Sequence, residues 1–135
     1  MATTTASFTL SSTDLTSDAL SMTKTATLTA AGSSATGISQ TSGIARKKYN
    51  ADPAIANVIA ESTDYTNDRA HKLYVFNTST TSTEYFVISV GTQAVGRLYA
   101  GDWMFIPWNG NSDVTATPSE TTDMTIEFAI YGDEA

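Results

Sequence analysis

The sequence predicts an all-β protein: a single antiparallel β-sandwich, jelly-roll-like, built from about ten short strands. Three observations carry that reading. Thr and Ser supply 39 of the 135 residues, and the β-branched Thr side chain fits the half-exposed face of a sheet. Apolar residues recur with period two near both ends of the chain. Turn signals separate short strand-like runs, and no long amphipathic helix interrupts them.

The elements follow in chain order. Ser7 to Leu10 is a short strand with Phe8 and Leu10 inward. From Leu20 to Thr29, Thr23, Thr25, Thr27 and Thr29 share one parity, while Leu20, Met22, Ala26 and Leu28 share the other. This places Thr outward and apolar residues inward. Lys24 falls on the apolar parity and is expected near a sheet edge. Gly32 to Gly43 reads as a loose loop or arm. Gly43 to Tyr49 is a weakly apolar strand. Ala56 to Ala60, holding Val58 and Ile59, reads as a strand, and the alternative over Asp52 to Ala60 is a short helical turn with Pro53 at a first helical position.

The middle of the chain is more strongly apolar. Lys72 to Asn77, Glu84 to Val90, Val95 to Tyr99, Trp103 to Trp108 and Val114 to Thr117 read as strands. Between them lie the polar loop Asn77 to Thr83, the turn Gly91 to Ala94, the tight turn Ala100-Gly101-Asp102 and Asn109-Gly110-Asn111, where Asn and Gly tolerate positive φ. Pro118 ends the penultimate strand. In the last one, Met124, Ile126, Phe128 and Ile130 face one way, and Thr125, Glu127, Ala129 and Tyr131 the other. Strands near both ends suggest one closed domain over 1–135, with a loose Thr/Ser-rich N-terminal region.

Composition narrows the function. Fourteen acids against seven bases leave a net charge of −7, with no Cys and one His. A chain of this length buries roughly two-thirds of its unfolded surface and needs no metal or disulfide to hold a core. Without Cys, zinc fingers, thiol enzymes and c-type haem proteins are excluded. A sequence pI near 4.3 argues against nucleic-acid binding, since phosphate repels an acidic surface. No secretory signal pattern and no apolar run near the ~20 residues of a membrane span is visible.

No catalytic or cofactor-binding constellation emerges. His71 has Asp68 three residues upstream but no triad pattern around it, and is expected as a surface or strand-start residue. Asp14-x-Thr16-x-Asp18 opens like a calcium loop, yet Ala19 replaces the required Gly and Thr25 the bidentate Glu. Asp64, Asn67 and Asp68 form a cluster too small for a hard-cation shell on its own. Glu84 and Glu127 are acids of the kind a glycosidase pairs across a cleft, but nothing singles them out. Asn77-Thr78-Ser79 matches a glycosylation acceptor and is read as chance. The expectation is no enzyme, no metal and no cofactor.

Two features point instead to partners. Arg46-Lys47-Lys48, followed by Tyr49, gathers three of the seven bases and forms a candidate docking patch for an acidic surface. Trp103-Met104-Phe105-Ile106-Pro107-Trp108 is apolar on both parities. Tyr74 and Tyr85 lie in strands that are likewise apolar on both faces. Such strands need a cover, so Tyr74, Tyr85, Trp103, Phe105 and Trp108 are candidates for a subunit interface. Exposed aromatics could alternatively stack on sugar rings.

The Thr/Ser-rich start Ala2 to Leu10, the cysteine-free low-charge strand series, and the stretches Leu73-Tyr-Val-Phe-Asn-Thr-Ser, Glu84-Tyr-Phe-Val-Ile-Ser-Val and Gly101-Asp-Trp-Met-Phe-Ile-Pro-Trp together resemble small structural proteins of tailed-phage particles. The resemblance is to auxiliary head proteins in particular. It implies a non-enzymatic capsid decoration (cement) subunit located in the virion and made in a host cytoplasm. Its implied partners are the major capsid protein or other virion subunits and sister copies in a homo-oligomer such as a trimer, with neither nucleic acid nor membrane among them. A tail, neck or fibre subunit and a carbohydrate-binding module are the alternative expectations.

Overall fold

A computed structural model describes residues 3–14, 20–29, 40–49, 55–121 and 123–132. The described residues form eleven strands: β1 (Thr3–Ser12), β2 (Leu20–Thr29), β3 (Gln40–Thr41), β4 (Ala45–Tyr49), β5 (Asn57–Ala60), β6 (His71–Asn77), β7 (Tyr85–Val90), β8 (Gln93–Tyr99), β9 (Trp103–Trp108), β10 (Val114–Pro118) and β11 (Met124–Gly132). The one helical element among them is a 3-10 turn at Ser62–Asp64. Among the described residues no helix is long and apolar enough to cross a membrane.

Strands β4 to β11 make an antiparallel sandwich with jelly-roll order. One sheet runs β4-β11-β6-β9 and the other β5-β10-β7-β8. Strand β3 continues the β4 edge by pairing with the far end of β11. Between β3 and β4 the chain bends at Gly43, whose φ is +72°. Ser42 closes the gap, its N–H donating to the Ile130 carbonyl and its hydroxyl accepting from the Ile130 N–H, both at 2.9 Å.

The core lies between these sheets and follows the period-two pattern. Leu73 and Val75 of β6, Phe86 and Ile88 of β7, Val114 and Ala116 of β10, and Met124, Ile126 and Ile130 of β11 are all buried. Each comes from the inward parity of its strand, as alternation dictates. Burial of Asn77 is offset by hydrogen bonds. Its Nδ2 donates to the carbonyls of Leu98 (2.9 Å) and Glu84 (3.3 Å), and its Oδ1 accepts from the Ser79 N–H. Asn77 is therefore a structural knot, and its amide is unavailable as a sugar acceptor.

The N-terminal strands depart from expectation. β1 is ten residues long rather than four, and it pairs with β2 alone to give a separate antiparallel ribbon. The alternation in β2 does not mark a place in the sandwich. Ser7, Thr9 and Ser11 oppose Thr25, Thr23 and Ser21 on one side of the ribbon, with hydroxyl pairs at Ser7–Thr25 (3.1 Å) and Thr9–Thr23 (3.3 Å). Phe8, Leu10 and Ser12 oppose Lys24, Met22 and Leu20 on the other. The loop read over Gly32 to Gly43 falls largely outside the described residues, as does Pro53; Asn57 is already in a strand.

Candidate functional site

The two sandwich faces turned away from the core differ. On the β5-β10-β7-β8 sheet the outward parity carries Thr115 and Thr117, with Tyr85 against Tyr99 at 5.2 Å between ring centroids and Arg97 lying 4.7 Å over the Tyr85 ring. On the other sheet the register sets Tyr74 beside Phe105 and Ala129, and Phe76 beside Trp103 and Glu127. The second face is thus strongly aromatic. It is also partly covered, because Ala129 is fully buried and Glu127 nearly so.

Part of that cover is the β1–β2 ribbon. The Phe8 ring lies 6.4 Å from the Trp103 ring, and a cleft of about 550 Å³ opens between ribbon and sheet. Phe8, Tyr74, Trp103 and Phe105 line it together with Lys24. The ribbon covers incompletely. Trp103 remains 52 % exposed, and Phe8, Leu10, Leu20 and Met22 are between 37 and 43 % exposed.

Charges on this face are internally matched. Arg46 Nε donates to Glu127 Oε2 at 2.8 Å, and the Tyr74 hydroxyl donates to Glu127 Oε1 at 3.2 Å. Burial first, and the neighbouring Glu127 carboxylate second, push the Tyr74 hydroxyl above the ordinary tyrosine value. Lys48 pairs with Asp123 at 2.7 Å. Lys47, on the opposite parity, reaches the Val58 carbonyl at 3.3 Å and sits 5.6 Å over the Tyr49 ring.

These contacts engage the basic run without burying it: the Arg46 and Lys48 side chains stay 69 % and 57 % exposed. Arg46, Lys47 and Lys48 alternate between two faces because they occupy a strand, and each has an intramolecular partner. Tyr49 is 6 % exposed and packs on Phe86 in the core at 5.7 Å, so it cannot meet a partner surface. Among the aromatic candidates, Tyr74, Trp103 and Phe105 do share one face. Tyr85 sits on the opposite sheet. Trp108 is buried, its Nε1 donating to the Ser112 carbonyl at 2.9 Å. It shares its parity with Met104 and Ile106, and that parity faces the core, so Trp108 is not available as an interface residue.

His71 corrects a further expectation: it begins β6 but is fully buried, not at the surface. Its Nε2 lies 2.7 Å from the Thr66 carbonyl, which can only accept, so that nitrogen carries the proton. Tyr65 and Trp108 flank the ring at 5.4 and 5.5 Å. Of the acidic cluster, Asp68 fastens a loop. Asp68, at φ +60°, receives a 2.7 Å bond from Asn111 Nδ2, and its N–H donates to Asn111 Oδ1 at 3.0 Å. Among the described residues no three His, Cys, Asp or Glu side chains gather as a metal site. Glu84 binds the Ser79 hydroxyl and Glu127 binds Arg46, in separate networks.

No family model, curated protein or solved structure matches the chain. The site is therefore read from its own geometry. Sequence reasoning missed Phe8 and Lys24 as parts of it. The signal was present: an aromatic inside a Thr-rich strand, and a lysine on the apolar parity of its neighbour.

Proposed function

We propose that the protein is a non-enzymatic structural subunit of a tailed-phage virion, a decoration protein that stabilises the head by bridging coat subunits. The observation that carries this reading is the β1–β2 ribbon: a ten-residue antiparallel pair outside the sandwich, with one apolar side half exposed beside an exposed Trp103. An isolated two-stranded ribbon is marginal in water, and contiguous apolar surface marks a binding site. A rigid jelly roll carrying such an arm suits a clamp. The arm engages one neighbour and the sandwich faces another, so that simultaneous contacts raise the cost of separating the coat subunits. Sister copies assembled as a homo-oligomer would multiply those contacts.

Jelly rolls serve both capsids and lectins, so the fold alone does not choose between them. The half-exposed Trp103 supports the second reading, a carbohydrate-binding module. The test is co-sedimentation of the purified protein with empty shells assembled from the coat protein encoded in the same gene cluster. Saturable binding at fixed stoichiometry, with a higher melting temperature of the shells, is expected. Failure to bind shells, together with protection of Trp103 from iodide by oligosaccharide, would transfer the site to the lectin reading.

A further inference from the structure

The cleft between the ribbon and β9 has three properties that together specify a ligand. Its walls are aromatic: Phe8 on the ribbon, and Tyr74, Trp103 and Phe105 on the sheet. Among the described residues its only charged lining residue is Lys24. The other six bases all have interactions of their own. Arg46 and Lys48 are in ion pairs, Lys47 and Lys72 bind carbonyls, Arg97 lies on Tyr85, and Arg69 has an interaction within the fold. Among the described residues Lys24 has no hydrogen bond or ion pair. A lone amine beside an apolar cleft locally selects an apolar group carrying a negative neighbour, against the repulsion of a chain whose net charge is −7.

The third property is the backbone around the cleft. Among the described residues β9 is the last strand of its sheet, and β1 and β2 pair only with each other. Their outer edges therefore carry unpaired N–H and C=O groups. Pro107 within β9 is compatible with that edge position, since proline has no N–H to offer a neighbour. Strand edges beside an apolar floor fit an extended chain, whose backbone pairs with an edge while alternate side chains enter the pocket. A third strand would also bring the ribbon to the minimum needed for independent stability.

We propose that this cleft binds an extended acidic segment of a protein partner, one apolar side chain seated among Phe8, Trp103 and Phe105 and an adjacent carboxylate paired with Lys24. The assignment deepens the docking role proposed above and rests on it, but the two fail separately.

The probe is a short acetylated, amidated, fluorescein-labelled peptide alternating Phe and Leu with Asp, followed by anisotropy against the full chain; the unlabelled peptide serves for iodide quenching of Trp103. Saturable binding and protection of Trp103 are expected. Lys24→Glu should weaken binding about fivefold or more, the effect of losing one charge pair and gaining a repulsion. Trp103→Ala should weaken it further, and Lys48→Glu should leave it unchanged. A peptide with Lys in place of Asp should not bind. Circular dichroism of each variant separates lost binding from lost structure.

Equal binding by the Lys-containing peptide, or by Lys24→Glu, overturns the assignment. So does equal protection of Trp103 by 3-phenylpropionate, which would make the cleft a small-ligand site. Protection that grows with protein concentration alone would make it a contact between copies. If the wild type and Lys24→Glu bind coat shells equally, the cleft assignment fails and the decoration reading stands. If the peptide binds and shells do not, the reverse holds.

Discussion

The sandwich and the ribbon use the same alternating sequence pattern for opposite ends. In β11 the inward residues Met124, Ile126 and Ile130 are buried against a second sheet. In β1 and β2 the equivalent parity, Phe8, Leu10, Leu20 and Met22, stays more than one-third exposed. Period two specifies a strand with two unlike faces. It does not specify what covers the apolar face, because that depends on whether a second layer is within reach. The sandwich supplies its own second layer, whereas the ribbon meets one only in part, at Phe8 against Trp103.

The largest expected effect sharpens that contrast directly. Phe86→Ala in the core should cost about 3–5 kcal/mol, the usual loss for a fully buried aromatic. Leu10→Ala on the ribbon should cost about 1 kcal/mol or less, since much of its surface is already in water. Urea denaturation of both variants measures the difference. Equal losses would show that the ribbon's apolar side is as buried in solution as the core.

A smaller loss is expected where β11 meets β6. A Cβ placed at Gly132 overlaps the His71 ring, while one placed at Gly96 meets nothing within 4 Å. Gly132→Ala should therefore cost about 1–3 kcal/mol through overpacking, and Gly96→Ala should be close to neutral by thermal denaturation. An unchanged melting temperature for Gly132→Ala would mean that the buried imidazole has room to move.

The smallest effect concerns Tyr49. Its hydroxyl is buried without a hydrogen-bond partner, and burial pushes its pKa up to about 12. Removing an unpaired polar group should help, so Tyr49→Phe should gain about 1 kcal/mol or less at neutral pH. The pH dependence has a definite sign. The unfolded chain releases this proton near the ordinary value of 10.0, while the folded chain keeps it until about 12. Stability from this group is complete below that window and is lost as pH rises through it. Tyr49→Phe should flatten the alkaline decline, followed by denaturation together with tyrosinate absorbance. An unaltered decline would place the titration elsewhere, with Tyr74 the next group whose proton is held.

Much of the sandwich was legible because its strands are bounded by strong turn residues. Gly91, Gly101 and Gly110 all adopt positive φ, and the strands between them begin or end within a few residues of where alternation and turns put them. Trp103 to Trp108 coincides with β9. The candidate site was legible only in part. Shared parity correctly grouped Trp103 with Phe105, but strand neighbours in space are not neighbours in sequence, so nothing local put Tyr85 and Tyr74 on different sheets. The basic run is contiguous in sequence but not on one face: consecutive residues in a strand point to opposite faces, which splits Lys47 from Arg46 and Lys48. The role of Phe8 was hidden because β1 looked too short and too polar to cover anything.

The meeting of Gly132 with His71 also fixes alignment. A slip of β11 by two residues along β6 would preserve which side chains face inward, so hydrophobic patterning alone would not forbid it. Such a slip would bring Ile130 or Glu134 to the position opposite the imidazole, where there is space for hydrogen alone. The ring therefore acts as an end stop. The longest strand of the sandwich is set in place by an atom that is missing, and its alignment is enforced by exclusion as much as by attraction.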